Sequence, residues 1–232
     1  MIKTVGIIGG VGPESTIEYY RFIIEAYRRQ KPDGSYPSII INSVDVNKYV
    51  GLATANRFDK FADDLVVEIE RLARAGADFA ALAANTPHIV FDELSKRSRI
   101  PLVSIIEATR DKALSLEMKK IGLFGTRFTM TGGFYQKVFA AAGLEIVVPS
   151  EEEQNYIHEK YIGELLNNIF TPETRAGLLA IVEKMQARDR IEALILGGTE
   201  LPLILRDSEQ NGVPFLDTTK IHVERIVERL LS

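Results

Sequence analysis

Cysteine and tryptophan are both missing from this chain of 232 residues. Without a thiol there is no disulfide, no thiolate metal site and no cysteine nucleophile or thiol acid/base, whichever compartment holds the protein. Long apolar runs are missing too, none approaching the ~18 residues of a membrane-spanning helix. The N-terminus passes from Lys3-Thr4 straight into Val5-Gly6-Ile7-Ile8 before glycines begin, too short a stretch for a signal peptide. A cytoplasmic location is therefore expected. Basic charge is not in excess: 28 Lys and Arg stand against 32 Asp and Glu, a net charge of -4. The clustered basic face that counterion release requires is not visible, so neither nucleic acid nor an anionic membrane is the expected partner.

What is present is a globular composition, 46% hydrophobic and 26% charged. At roughly 150 residues per domain as a prior, the length of 232 residues fits one large domain or two small ones. Short β-branched runs bounded by Gly, Pro or Asn alternate with longer segments of helical period, the pattern of parallel sheets covered by helices. Strands are expected at Val5 to Ile8, Ser38 to Val44, Phe79 to Ala83, Leu102 to Ile105, Ile121 to Phe124, Leu144 to Val148, Ala193 to Leu196 and Phe215 to Leu216. Helices are expected at Ser15 to Arg29, Arg57 to Ala75, Ile89 to Ser95, Ile106 to Leu116, Thr131 to Ala142, Glu151 to Ile169, Thr174 to Ala187 and Thr219 to Leu231.

The two halves echo each other. Val5-Gly6-Ile7-Ile8-Gly9 returns as Ile121-Gly122-Leu123-Phe124-Gly125, an offset of 116 residues, each ahead of a helix with paired aromatics, Tyr19-Tyr20 and Phe134-Tyr135. Leu82-Ala83-Ala84-Asn85-Thr86-Pro87 returns as Leu196-Gly197-Gly198-Thr199-Glu200-Leu201-Pro202 at 114, and Ile100-Pro101-Leu102-Val103 as Val213-Pro214-Phe215-Leu216 at 113. So steady a register is an internal duplication. It predicts two pseudo-symmetric α/β lobes with mainly parallel sheets, residues 1–105 plus 213–232 forming the first and 106–212 the second. Ligands of open α/β sheets bind beyond the carboxyl ends of strands. The turns after Ile8, Ala83, Phe124 and Leu196, expected to line a cleft between the lobes, are therefore the place to look.

Gly9-Gly10-Val11-Gly12-Pro13-Glu14-Ser15 follows a strand and opens a helix. Three readings stand: a phosphate loop, which lacks the third glycine and would set Glu14 beside a phosphate; a packing turn; or a cradle in which the backbone of Gly10, Val11 and Gly12 holds a small carboxylate. Asn85, Thr86 and His88 read either as caps and a core histidine or as site residues. Thr199 and Glu200 at the matching repeat position favour the second reading, and Thr126, Thr129 and Thr131 add hydroxyls on the same rim. Lys48 is a candidate partner for a second carboxylate. Small hydroxyls, amides and helix N-termini suit an acidic amino acid or dicarboxylate. His88, His158 and His222 look isolated, so neither a metal nor a cofactor is expected.

With these turns in place, the sequence resembles the cofactor-independent aspartate/glutamate racemase family. The blocks Gly9-Gly10-Val11-Gly12-Pro13, Asn85-Thr86-Pro87-His88, Gly125-Thr126-Arg127-Phe128-Thr129 and Gly198-Thr199-Glu200-Leu201-Pro202 carry the likeness, in order, over essentially the whole chain. The resemblance implies an interlobe substrate cleft, a homodimer and two thiols that exchange the α-proton of an acidic amino acid on opposite faces, without pyridoxal phosphate. Its site residues would be Asn85, Thr86, Thr126, Thr129, Thr199, Glu200 and the backbone of Gly10 to Gly12. Both thiol positions are vacant here, filled by Ala84 and Gly198. Thiol racemisation is thus excluded, and His88 and Glu200 are the titratable residues left within the two motifs. Three readings follow: an enzyme using other proton carriers, a pseudoenzyme that binds a dicarboxylate without turnover, and a nucleotide-binding α/β protein.

Overall fold

The computed structural model describes residues 3–232. The chain divides into two compact units, Met1–Ala108 with Thr219–Ser232, and Thr109–Thr218. The first unit begins with β1 (Thr4–Gly9), α1 (Pro13–Gln30), β2 (Ser38–Ser43), α2 (Val46–Thr54), α3 (Phe58–Arg74) and β3 (Phe79–Leu82). A 3-10 turn (Thr86–Val90), α4 (Phe91–Arg97) and β4 (Leu102–Val103) follow, and α5 (Ile105–Ser115) carries the chain onward. The second unit holds β5 (Lys120–Gly125), α6 (Arg127–Thr131), α7 (Phe134–Ala140), β6 (Glu145–Val147), α8 (Glu151–Gly163) and α9 (Pro172–Asp189). It closes with β7 (Ala193–Gly197), α10 (Leu201–Ile204), β8 (Glu209–Gln210) and β9 (Val213–Asp217), before α11 (Thr218–Leu231).

The described strands form a parallel four-stranded sheet in the order β2-β1-β3-β4, and a five-stranded sheet ordered β6-β5-β7-β9-β8. All pairings are parallel except β8 with β9. Leaving out the short β8, the second order repeats the first element for element, as the sequence offsets predicted. The expected α/β architecture with mainly parallel sheets is what the chain adopts.

The helices form for reasons visible in their residues. α1 opens on Pro13, whose missing N–H costs nothing there. It has Glu14 in its first turn and Arg28 and Arg29 in its last, each complementing the helix dipole. Its buried residues Ser15, Tyr19, Ile23, Ala26 and Tyr27 keep one face inward. That face joins Val5, Ile7 and Phe79 of the sheet in a core completed by Val223, Ile226, Val227 and Leu230 of α11. The second unit's core gathers Phe124, Met130, Ile157, Tyr161, Leu178, Val182, Leu194 and Leu196.

The lobe boundary differs from the one expected at 213. Val213–Asp217 pairs with β7, Leu194 opposite Phe215 and Leu196 opposite Asp217, so β9 completes the second sheet. The chain rejoins the first unit at Thr219 instead. The duplication extends to buried pairs: Tyr19 meets His222, and Tyr135, 116 residues after Tyr19, hydrogen-bonds Thr109, 113 residues before His222. Three helices went unexpected, α2, α6 and α10; the first is started by Asp45, which accepts from Asn47 N at 2.9 Å.

Candidate functional site

In the first unit, the turn after β1 is fixed by glycine. Gly10 has φ +82°, and a Cβ there would lie 2.2 Å from the Val44 carbonyl oxygen, so no other residue fits without moving β2's continuation. Thr16 Oγ1 accepts the Gly10 N–H at 2.8 Å, and Ser15 Oγ donates to the Gly12 carbonyl at 2.6 Å. Gly10 is therefore committed inside the loop, which revises the expected cradle to the amides of Val11 and Gly12 at the head of α1. Glu14 places a negative charge at the same helix end, which disfavours a phosphate.

After β3, Ala84 and Asn85 are buried and Asn85 opens the 3-10 turn without a side-chain cap bond. Simple capping is thus not what Asn85 does. Thr86 is half-buried beside it. His88 proves to be a structural residue, contrary to its place among the proton-carrier candidates. Its Nδ1–H donates to the Ala84 carbonyl at 3.1 Å, and its Nε2 accepts the Ile105 N–H at 3.2 Å. Those partners fix the tautomer, stacking on Phe91 fixes the ring plane, and burial, followed by the nearby His222, pushes its pKa down to about 3. His222 is no more isolated than His88. Its ring stands edge-on 6.4 Å from that of His88, accepts from Tyr19 OH at 2.7 Å, donates to the Val103 carbonyl at 3.0 Å, and is pushed by burial to about 4.

Lys48 sits on α2 with its ammonium on Asp64 of α3, and Asp64 also accepts from Tyr49 OH at 2.5 Å. The charge expected to meet a second substrate carboxylate is thus engaged within the first unit.

In the second unit the strand-end turns carry hydroxyls and one carboxylate. Thr126 caps α6, accepting from Thr129 N at 3.3 Å, and the two hydroxyls lie 3.2 Å apart. Thr129 is fully buried. Thr131 turns away, donating to the Arg127 carbonyl at 2.9 Å. After β7, Glu200 Oε2 accepts from Thr199 Oγ1 at 2.9 Å and from the phenol of Tyr161. All three residues are buried. Tyr161 was not among the sequence candidates. Its phase was legible, since Glu153, Ile157 and Tyr161 recur every four residues on the buried face of α8, but nothing local ties it to Glu200. Among the described residues no group of three or more His, Asp or Glu side chains gathers to hold a metal ion, and no helix is long and apolar enough to cross a membrane.

Two duplicated, mainly parallel sheets, each ending in polar turns at the carboxyl ends of its central strands, define the class. Residues 8–226 match the Asp/Glu/hydantoin racemase family, and the chain belongs to it. An aspartate racemase homologue from Pyrococcus horikoshii is similar at 35% identity and TM-score 0.85, each chain covered in full. A crystal structure from Yersinia pestis superposes at TM-score 0.91 with 30% identity, over 99% of this chain and all of that one. The broad specificity amino-acid racemase RacX of Bacillus subtilis is 24% identical over 98% of both chains. The sequence resemblance and the structure thus converge on one family.

Proposed function

We propose that this protein binds an acidic amino acid, aspartate or glutamate, and exchanges its α-proton without pyridoxal phosphate and without a thiol. One observation carries the reading: the polar strand-end turns of a racemase-family fold persist in a chain with no cysteine. In the first unit the amides of Val11 and Gly12 and the polar pair Asn85 and Thr86, and in the second unit the hydroxyls of Thr126 and Thr129, offer donors for a carboxylate. Glu200 supplies a carboxylate in a water-poor setting, where electrostatic interactions gain strength. The protein is placed in the cytoplasm, as its sequence led us to expect, and its working assembly is taken to be a homodimer, as the family resemblance implies; light scattering on the purified chain checks its oligomeric state.

Ala84 favours a second reading, a dicarboxylate-binding protein without turnover, because its methyl group can neither take nor give a proton. One set of measurements separates the two. The protein is mixed with each enantiomer of aspartate and glutamate in deuterium oxide, and the α-proton NMR signal and the melting temperature are followed. Loss of the signal, unaffected by iodoacetamide, is expected. A raised melting temperature without exchange supports binding alone, and no response to any of the four amino acids contradicts both readings.

A further inference from the structure

The space beside Gly198 is occupied. A Cβ built there would lie 2.4 Å from Tyr161 Cε2 and 2.7 Å from the phenol oxygen. Carbon atoms not bonded to each other stay about 3.5 Å or more apart. Tyr161 therefore fills the volume of the side chain that residue 198 lacks, with its hydroxyl 2.7 Å from where the Cβ would stand. The ring is held on α8 among Ile157, Leu165 and Leu178. Its hydroxyl donates to Glu200 Oε2, which Thr199 Oγ1 also binds at 2.9 Å. Burial, then the Glu200 charge, push the phenol well above its ordinary range, which keeps it a neutral O–H.

From this packing we infer that Tyr161 is the proton carrier of the second unit and that Glu200 positions it and takes the proton it relays. The inference rests on the proposed exchange reaction. As the substrate Cα–H bond breaks, its proton goes to Tyr161 Oη while the phenol's own proton passes to Glu200 Oε2. The electron pair of the broken bond remains on the substrate as the enolate of its α-carboxylate. The reverse transfer, after the pair has exchanged with solvent, returns a deuteron to Cα. No oxidant, reductant or second reactant enters. The first unit has no counterpart, because at the 114-residue offset Ala84, Asn85 and Thr86 stand where Gly198, Thr199 and Glu200 stand in the second.

The test compares wild type, Tyr161→Phe, Glu200→Gln and Glu200→Asp in the deuterium-exchange assay, with amino-acid affinity by calorimetry and folding by thermal melt. Tyr161→Phe is expected to slow exchange by about 100-fold or more while affinity changes by no more than a few-fold. Glu200→Gln is expected to remove the acidic limb of the exchange pH profile, and Glu200→Asp to restore part of it, which a carboxylate with a purely structural role would not do. Should Tyr161→Phe fail to fold, protein carrying 3-fluorotyrosine keeps the shape with a more acidic phenol. Its exchange rate at fixed pH changes several-fold if Tyr161 carries the proton, and an unchanged rate overturns the inference. Exchange at the wild-type rate in folded Tyr161→Phe overturns the inference alone. Absence of exchange in wild type overturns it together with the exchange reading.

Discussion

His88 and His222 show how the fold decides what a titratable side chain does. Each is neutral in the folded protein down to about pH 3 and about pH 4 respectively, whereas in the unfolded chain a histidine binds its proton near 6.5. Below 6.5 the unfolded chain therefore holds more protons, and acid favours it. Stability attributable to these residues is intact above 6.5 and falls by about 1.4 kcal/mol per pH unit for each as the pH drops toward the folded values. Urea midpoints measured from pH 7 to pH 5 should fall accordingly, and the slope should be roughly halved in His222→Gln, if that variant folds. Gly198 is the second decisive residue. Gly198→Ala forces a methyl group against the Tyr161 ring, 2.4 Å away, and should cost about 1–3 kcal/mol in urea unfolding, the usual penalty of overpacking.

Among the elements, α8 matters most because it carries Tyr161. It starts in a reciprocal capping box: Ser150 N donates to Glu153 Oε2 at 2.8 Å, and Glu153 N donates to Ser150 Oγ at 3.4 Å. Ser150→Ala should cost about 1 kcal/mol, read as a lower urea midpoint with an unchanged m-value. Elements of this kind were legible in the sequence, since α1, α3 and α9 are long and α1 and α3 show a clear apolar stripe, and β1, β3, β5 and β7 are short apolar runs. α2 was not, being nine residues with Gly51 inside it, nor was the four-residue α10. Short helices rest on tertiary packing more than on pattern. Among the candidate residues, the turns at Gly10, Asn85, Thr126 and Thr199 could be found because they repeat at a nearly constant offset. The commitment of Gly10 N–H to Thr16, the clamp on His88 and the meeting of Tyr161 with Glu200 could not. Each depends on where a side chain points or on residues distant in sequence.

For the whole molecule, duplication without chemical symmetry is the principal feature. The sheet orders match, and the Tyr19 to His222 and Tyr135 to Thr109 contacts occupy equivalent places. Yet the turn after β3 offers Ala84 and a clamped His88, and the turn after β7 offers the buried Glu200 carboxylate, with the Tyr161 phenol of α8 hydrogen-bonded to it. Racemisation by a two-base route needs a proton carrier on each face of the α-carbon, and Tyr161 with Glu200 in the second unit has no equivalent in the first. The account therefore predicts exchange without inversion.

The decisive measurement takes each enantiomer of aspartate and glutamate in deuterium oxide with wild-type protein, then determines the mass and chirality of the amino acid recovered. The account predicts deuterium at Cα of at least one of them with its configuration retained, in the presence or absence of iodoacetamide. Recovery of unlabelled amino acid in every case, or of labelled amino acid with both configurations present, would contradict it.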